Sequence, residues 1–386
     1  MWIYIFTICI SCFLIWIAEK LNNNINGFLL TLAVIIPSVI SGVRADTVGT
    51  DVRSYVKPIW YLANSSDNLF SFINNQGSLI SGDEVSRFEK GYMLFTYICT
   101  KINSSFFFNL FFSEFLIIGL TLLGLWRFKK NHNISITLGM FVFYTMLYNP
   151  SLNIVRQSIA MAILAFAFNF LIEKKVFKYI LLVIIAALFH QTALIGIFML
   201  LVYYCTLTQE TISIKINSER NVHIAKATVR VWVIALAMII IVVLLPNILN
   251  TVLSLFNLNR FQWAYLFTLN SWSINQFFIR VPFILLIAFQ WSALKNNQLR
   301  YMYLIILLMD VLTSQFSGGS GALLRLSLYF SNYYVFVLPD EVLSSDKNKS
   351  AVITILLIIY LAVYWYYMFV FNNYNNTVPY IFGGFN

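Results

Sequence analysis

The sequence predicts an all-α polytopic integral membrane protein, and three observations predict it. Hydrophobic residues make up 60% of the chain and charged residues only 10%, where a soluble domain carries about 25% charged residues. The mean hydropathy is +0.78. The apolar residues also gather into runs near the ~20 residues that cross a bilayer core as helix, with the charges collected between them.

Taken in order, the runs place spans near 2–18, 27–43, 106–126, 134–149, 154–172, 229–249, 276–294, 300–313, 323–338 and 351–371, about ten full crossings. The first lacks a basic segment ahead of it and is long enough to stay as a helix rather than act as a cleaved signal. Residues 44–105 form a large polar loop holding one apolar run, 92–99, too short to span, which suits an interfacial or buried half-helix. Tyr179–Cys205 is the exception. Its 27 residues contain no Lys, Arg, Asp or Glu and would make a helix of ~40 Å, yet Phe189-His190-Gln191-Thr192 interrupts the middle. One tilted helix and a pair of half-helices meeting at His190 are the two readings.

Lysine and arginine accumulate on the cytoplasmic side, and this separates them. With the chain turning back at His190, 15 of the 25 basic residues fall in cytoplasmic loops; with a single crossing the split reverses. The half-helix hairpin is therefore expected. It gives one transmembrane domain over 1–386, with an external N-terminus, an external loop at 44–105, a cytoplasmic loop at 206–228 and a second external loop at 250–275. The external basic residues are then seven Arg and three Lys. Arginine presents a planar fork of donors that matches phosphate oxygens, so a phosphate-bearing lipid ligand is indicated. Pairing with external carboxylates is the plainer reading in 44–105. It explains Arg156, Arg280 and Arg325 poorly, because no carboxylate stands near them in sequence.

Other chemistry is disfavoured. The four cysteines lie in or beside apolar runs without metal-ligand spacing, and the three histidines are far apart, so no metal site and no cofactor are expected. The net charge of +10 is not carried by a basic run interleaved with aromatics on a soluble domain, so nucleic acid is not the partner; membrane lipid and anionic substrate groups are.

Ionisable groups at membrane depth are costly and mark functional sites by default. His190 is one, a candidate proton acceptor, with hydrogen bonding to a neighbouring helix as its structural alternative. Arg156 and Gln157 fall in the first turn of their helix, with Asn153 near its cap, where free N–H groups already favour anions; a snorkelling interfacial arginine is the alternative. Gly42-Val-Arg44 through Gly49-Thr-Asp51 to Tyr55 forms a turn leaving the second span, with Asp51 a candidate base or arginine partner. Phe88-Glu89-Lys-Gly91-Tyr92 opens the short apolar run. Ser317-Gly-Gly-Ser-Gly321 precedes Arg325 and lets backbone amides approach an anion, though no P-loop lysine follows. Residues 251–275, with Trp263, Tyr265 and Trp272, read as an aromatic belt, and 372–386 as a polar external tail.

In order and spacing, Gly42…Arg44…Gly49-Thr-Asp51…Tyr55, Phe88-Glu89-Lys-Gly91-Tyr92, Asn153-x-x-Arg156-Gln157, Lys174-Lys175 and Ala187-Leu-Phe-His190-Gln-Thr-Ala193 resemble the EpsG family of Wzy-type polysaccharide polymerases, with Pro379-Tyr380 a weaker echo. The resemblance is strong over 40–200 and thin over 206–310. It implies a GT-C-like architecture in a bacterial inner membrane, with the active site facing the periplasm. It further implies polymerisation of undecaprenyl-diphosphate-linked O-antigen or exopolysaccharide repeat units, alongside a chain-length regulator and a flippase. On this reading Arg156 and Arg325, then Arg44 and Arg280, hold the diphosphate. His190 or Asp51 is the base with Glu89 in reserve, and Asn153, Gln157 and Tyr55 support the site. A lipid-linked oligosaccharide flippase or a sugar O-acyltransferase are the other classes. No repeated halves are visible, and charge lies at the outer face rather than along a path, which disfavours transport; external arginines disfavour acyl transfer from the cytoplasm.

Overall fold

Helices α1 (Trp2–Lys20) and α2 (Ile25–Gly42) pair first, and among the described residues five helices are long and apolar enough to cross a membrane: these two, Phe106–Phe128, Val155–Ile172 and Lys347–Phe371. The structure is a computed structural model that describes residues 1–21, 25–75, 77, 85, 88–206, 211–217, 220–225, 233, 273–315 and 321–385. The expected span near 229–249, the aromatic belt at 251–275 and most of the 317–321 glycine loop lie outside the described residues.

The contacts divide the chain into two compact units. The first comprises Met1–Gly196, Tyr334–Leu343 and Lys347–Asn386; the second comprises Ile197–Tyr333 and Ser344–Asp346.

In the first unit, the described residues of the loop after α2 include regular helical turns. A π-helical turn, Val52–Val56, runs into α3 (Lys57–Ser65), α4 (Leu69–Ile73) and α5 (Lys90–Ile102), so the short run at 92–99 is a 13-residue helix. Next come α6 (Phe106–Lys129), α7 (Ile136–Met146), α8 (Tyr148–Asn153), α9 (Val155–Ile172) and α10 (Val176–Phe189). Helices α6 and α9 pack closely because Gly124 offers no side chain there: a Cβ would lie 3.4 Å from Phe166 Cα, and Asn169 Nδ2 donates to Gly124 O at 3.1 Å. Small residues admit such approach between membrane helices. Glu19, at the end of α1, caps α7 by accepting from the Ile136 and Thr137 amides at 2.8 Å each and from Lys129 at 2.7 Å. Its carboxylate satisfies donors that a helix start leaves open.

Three expectations need correction. The span near 134–149 is not continuous: the helix breaks at Leu147, and Tyr148–Asn153 is the short helix α8 with every residue buried. A polar turn survives there because the surrounding chain satisfies it. The span near 323–338 is likewise divided, into α14 (Gly321–Ser331) and α15 (Tyr334–Leu343), with a turn at Asn332–Tyr333. The loop at 206–228 holds an antiparallel hairpin, β1 (Thr211–Asn217) with β2 (Arg220–Ala225), so the chain is not wholly helical. The alternation of Ile212, Ile214 and Ile216 with polar neighbours is a strand period.

Helix α10 ends at Phe189, His190 is extended (φ −157°, ψ 118°), and a 3₁₀ turn, Gln191–Leu194, leads into α11 (Ile195–Thr206). The chain folds back at that joint: Tyr179 OH donates to Gly196 O at 2.8 Å, and Gly196 lies against Val183. The second unit contains α12 (Ile274–Gln290) and α13 (Arg300–Gln315) with α14, and α16 (Lys347–Trp365) returns to the first unit, extended by a π-helical turn, Tyr366–Phe371.

Candidate functional site

Five separate stretches of the first unit meet around the start of α9. The chain before α9 turns through Ile154 (φ −86°, ψ 57°), so α8 and α9 are distinct helices and Arg156 stands in the first turn of the second. Its guanidinium lies over the Tyr55 ring at 4.4 Å and the Phe88 ring at 4.3 Å, and Nη1 is ion-paired with Glu89 Oε2. The two rings, 5.7 Å apart, pack on the guanidinium from adjoining sides and desolvate it, which strengthens both the cation–π contacts and the ion pair. Arg156 Nε is buried and meets no acceptor among the described residues.

Glu89 reaches a second partner. Its Oε1 accepts from the Gln191 amide at 3.2 Å, which ties the start of α5 to the break after α10. Gly91 makes the approach possible, because a Cβ there would lie 2.7 Å from Leu188 O. His190 adjoins this contact, half-buried, with Nδ1 2.5 Å from Thr192 Oγ1. Burial pushes the neighbouring Tyr92 phenol well above its ordinary range.

On the other flank, Asn153 Oδ1 accepts from the Asp51 amide at 2.8 Å, and Asn153 Nδ2 donates to Asn375 Oδ1 at 3.2 Å. Gly49 adopts φ +90° and passes so close that a Cβ would lie 2.8 Å from Leu152 O, a position suited to glycine alone. Arg44, only 3% exposed, donates from Nη2 to Leu152 O at 2.9 Å and from Nη1 to Ser41 O at 2.7 Å. Glu114 accepts from Ser151 Oγ at 2.8 Å. Helix α8 is thus gripped at Ser151, Leu152 and Asn153, and these grips set where Arg156 stands.

The structure therefore gathers Asp51, Tyr55, Glu89, Asn153 and Arg156 in one place, with His190 one residue from the Glu89 contact and Gln157 buried beside Arg156 in α9. Arg44 belongs to the support beneath α8. Arg280 and Arg325 lie in the second unit. Arg280 is buried and bidentate to Asp310, at 2.8 and 3.0 Å, and also donates to Gln276 Oε1 at 2.7 Å. Arg325 is half-buried on α14. The expectation that ion pairing explains Arg156 and Arg280 poorly is corrected: each has a carboxylate partner, 67 and 30 positions away. Proximity in sequence says nothing of neighbours supplied by another helix.

The residues missed by sequence reasoning are those of the C-terminal segment, expected as an external tail. Ala45 N donates to Ile381 O at 2.8 Å, Gly383 N to Val43 O at 2.7 Å and Gly49 N to Asn376 O at 2.9 Å. Tyr380 OH donates to Ile40 O at 2.8 Å, and Thr377 is fully buried between Tyr4 and Asn149. The run Asn372-Asn373-Tyr374-Asn375-Asn376 was the available signal: Asn373, Asn375 and Asn376 all have positive φ, where asparagine is enriched. Trp365 Nε1 donates to Asn149 Oδ1 at 2.7 Å. Trp365 also lines an apolar slot of about 350 Å³ between α1, α7 and α16, with Ile5, Ile8, Cys9 and Phe141.

Chemically, the arrangement offers a desolvated guanidinium paired with one carboxylate, Glu89, whose other oxygen is held next to His190. Among the described residues no three His, Cys, Asp or Glu side chains come together to hold a metal ion. The model of the EpsG family matches residues 27–382, a wider range than the motifs alone carried. No curated protein and no solved structure matches the chain.

Proposed function

The chain belongs to the EpsG family, and from that premise we propose that it polymerises undecaprenyl-diphosphate-linked oligosaccharide repeat units into O-antigen or another exopolysaccharide. The family is Wzy-type and polymerase-like, which implies glycosyl transfer on lipid-linked glycans. The observation that supports the finer reading is the convergence of Tyr55, Phe88 and Glu89 on the Arg156 guanidinium, with the 189–192 stretch joined to it through Glu89.

In the proposed reaction an acceptor hydroxyl attacks the anomeric carbon of the lipid-linked donor, and undecaprenyl diphosphate leaves. Charge develops on the leaving diphosphate, and a preorganised fork of donors in a desolvated site stabilises it. Arg156 is assigned this task, with Arg325 as the second candidate cation. Asp51, Glu89 and His190 are the groups able to accept the hydroxyl proton. The apolar slot beside Trp365 suits a hydrocarbon chain. The reaction is placed at the periplasmic face of a bacterial inner membrane, on the strength of the arginine-rich set of loops assigned outside.

The test is complementation of a polymerase-null host with wild type, Arg156→Lys, Arg156→Ala and His190→Ala, scored by polysaccharide ladders at matched membrane levels. A ladder from wild type and a single repeat unit from the Arg156 variants support the reading. No ladder from wild type, with rescue of a flippase-null host instead, replaces it with transport.

A further inference from the structure

We propose that Glu89 is a built-in stand-in for the substrate's anionic group, and that a diphosphate reaching Arg156 displaces it and thereby releases it to act as the base. The proposal rests on the polymerase reading for its chemistry, but its binding half can be tested without it.

Three observations carry it. First, the Arg156 guanidinium is occupied in the described structure: Glu89 Oε2 takes Nη1, while Tyr55 and Phe88, their rings 5.7 Å apart, pack on it from adjoining sides. A diphosphate that takes the whole fork, Nη1 included, competes with that carboxylate. Secondly, the fork keeps an unmet donor, Nε, buried without an acceptor. A buried donor left unpaired carries a penalty that a ligand oxygen removes. Thirdly, Glu89 would not be left adrift, because its other oxygen is held by the Gln191 amide at 3.2 Å and its backbone by the tight passage of Gly91 against Leu188. It can turn from Arg156 while staying beside His190.

The exchange orders the reaction. With no substrate, Glu89 neutralises a desolvated cation that would otherwise be costly to bury. When diphosphate oxygens take over that neutralisation, the Glu89 carboxylate loses its strongest partner and becomes available for a proton. The acceptor oxygen then forms its bond to the anomeric carbon, and its proton passes to Glu89. The bond from the anomeric carbon to the diphosphate oxygen breaks, with its electron pair going to that oxygen beside Arg156. After the product departs, Glu89 gives its proton to solvent and pairs with Arg156 again. The base is thus armed only when a donor is bound.

The experiment titrates inorganic pyrophosphate into the purified full chain by calorimetry, comparing wild type, Glu89→Gln, Arg156→Ala and the double variant. Glu89→Gln keeps the acceptor for the Gln191 amide and removes the competing charge. It is expected to bind pyrophosphate about 10-fold or more tightly than wild type, while both proteins carrying Arg156→Ala lose binding. Unfolding midpoints confirm that Glu89→Gln is folded. In the same preparations Glu89→Gln should lose polymer formation although it binds the anion better. Equal or weaker pyrophosphate binding by Glu89→Gln, or no binding to either protein, overturns the exchange. If Glu89→Gln tightens binding but wild type makes no polymer from lipid-linked repeat units, the exchange stands and the polymerase reading falls.

Discussion

The Asp51 amide donates to Asn153 Oδ1 at 2.8 Å, which pins the loop leaving α2 to the turn before α9. The same side chain donates to Asn375, so one amide holds three stretches of chain. Asn153→Ala removes both contacts and leaves the Asp51 amide without its acceptor, a loss of about 1–3 kcal/mol. It should lower the unfolding midpoint in detergent and shorten or abolish the polysaccharide ladder. Asn153→Asp keeps the acceptor, loses the donor and should fall between wild type and Asn153→Ala.

Gly91→Ala places a Cβ 2.7 Å from Leu188 O and 2.8 Å from Leu188 Cβ. Overpacking of this kind costs about 1–3 kcal/mol, and here it pries α5 from the end of α10 and Glu89 from Gln191. Activity should fall along with thermal stability. Leu188→Ala introduced alongside should not restore either, because the nearest contact is with the main chain. Rescue by Leu188→Ala would show that the side chain alone sets the spacing.

Arg156→Lys retains a charge but not a planar fork able to pack on Tyr55 and Phe88 while pairing with Glu89. Loss of one preorganised donor set costs about 10²–10³ in rate, so polymer formation should drop by at least about 10²-fold at equal protein level. Full activity in Arg156→Lys, measured with lipid-linked repeat units, would remove the guanidinium from the mechanism.

In the second unit, Arg280 and Asp310 form a buried bidentate pair. Removing either partner leaves an uncompensated charge, which costs about 3–5 kcal/mol. Arg280→Ala and Asp310→Ala should each lower the unfolding midpoint sharply, and the double variant should lose much less than the two together. A double-variant cycle by thermal unfolding measures the difference.

At the end of α9, Arg127 holds Glu173 through two bonds, at 2.7 and 2.6 Å, and lowers its carboxyl to about 2 from the ordinary 4.5. A lowered carboxyl stabilises the fold above the unfolded value and loses that contribution as pH falls toward 2. The difference in unfolding midpoint between wild type and Glu173→Gln should therefore be small and constant above about pH 5, then shrink between 4.5 and 2. The pair is partly exposed, so the contribution stays under about 1 kcal/mol. A difference that grows on acidification contradicts the assignment.

Much of the candidate site could be found in the sequence because it is made of local signals. The break at His190 shows as a polar joint in an apolar run, and Gly91 and Gly49 stand where only glycine fits. The order of the stretches at 42–55, 88–92, 153–157 and 189–193 led to the family whose model matches 27–382. The C-terminal segment was read as a tail because polar residues after the last apolar helix carry no mark of burial. Thr377 and Tyr380 are ordered by α1, α2 and α8, from which they are separated by more than two hundred positions.

The sequence by itself determined that this chain is helical, apolar and built for a membrane, since hydropathy and helix length depend only on neighbouring residues. It also marked the break at His190, where a polar joint interrupts an apolar run, but not the breaks at Leu147 and Asn332–Tyr333. Only the tertiary structure decided which charges meet. Arg156 could have stood alone at a helix start, as its own surroundings in sequence suggest. It is instead held by Glu89, Tyr55 and Phe88, because the fold brings the residues just before α5 and the π-helical turn to the first turn of α9, joining side chains that no local pattern links.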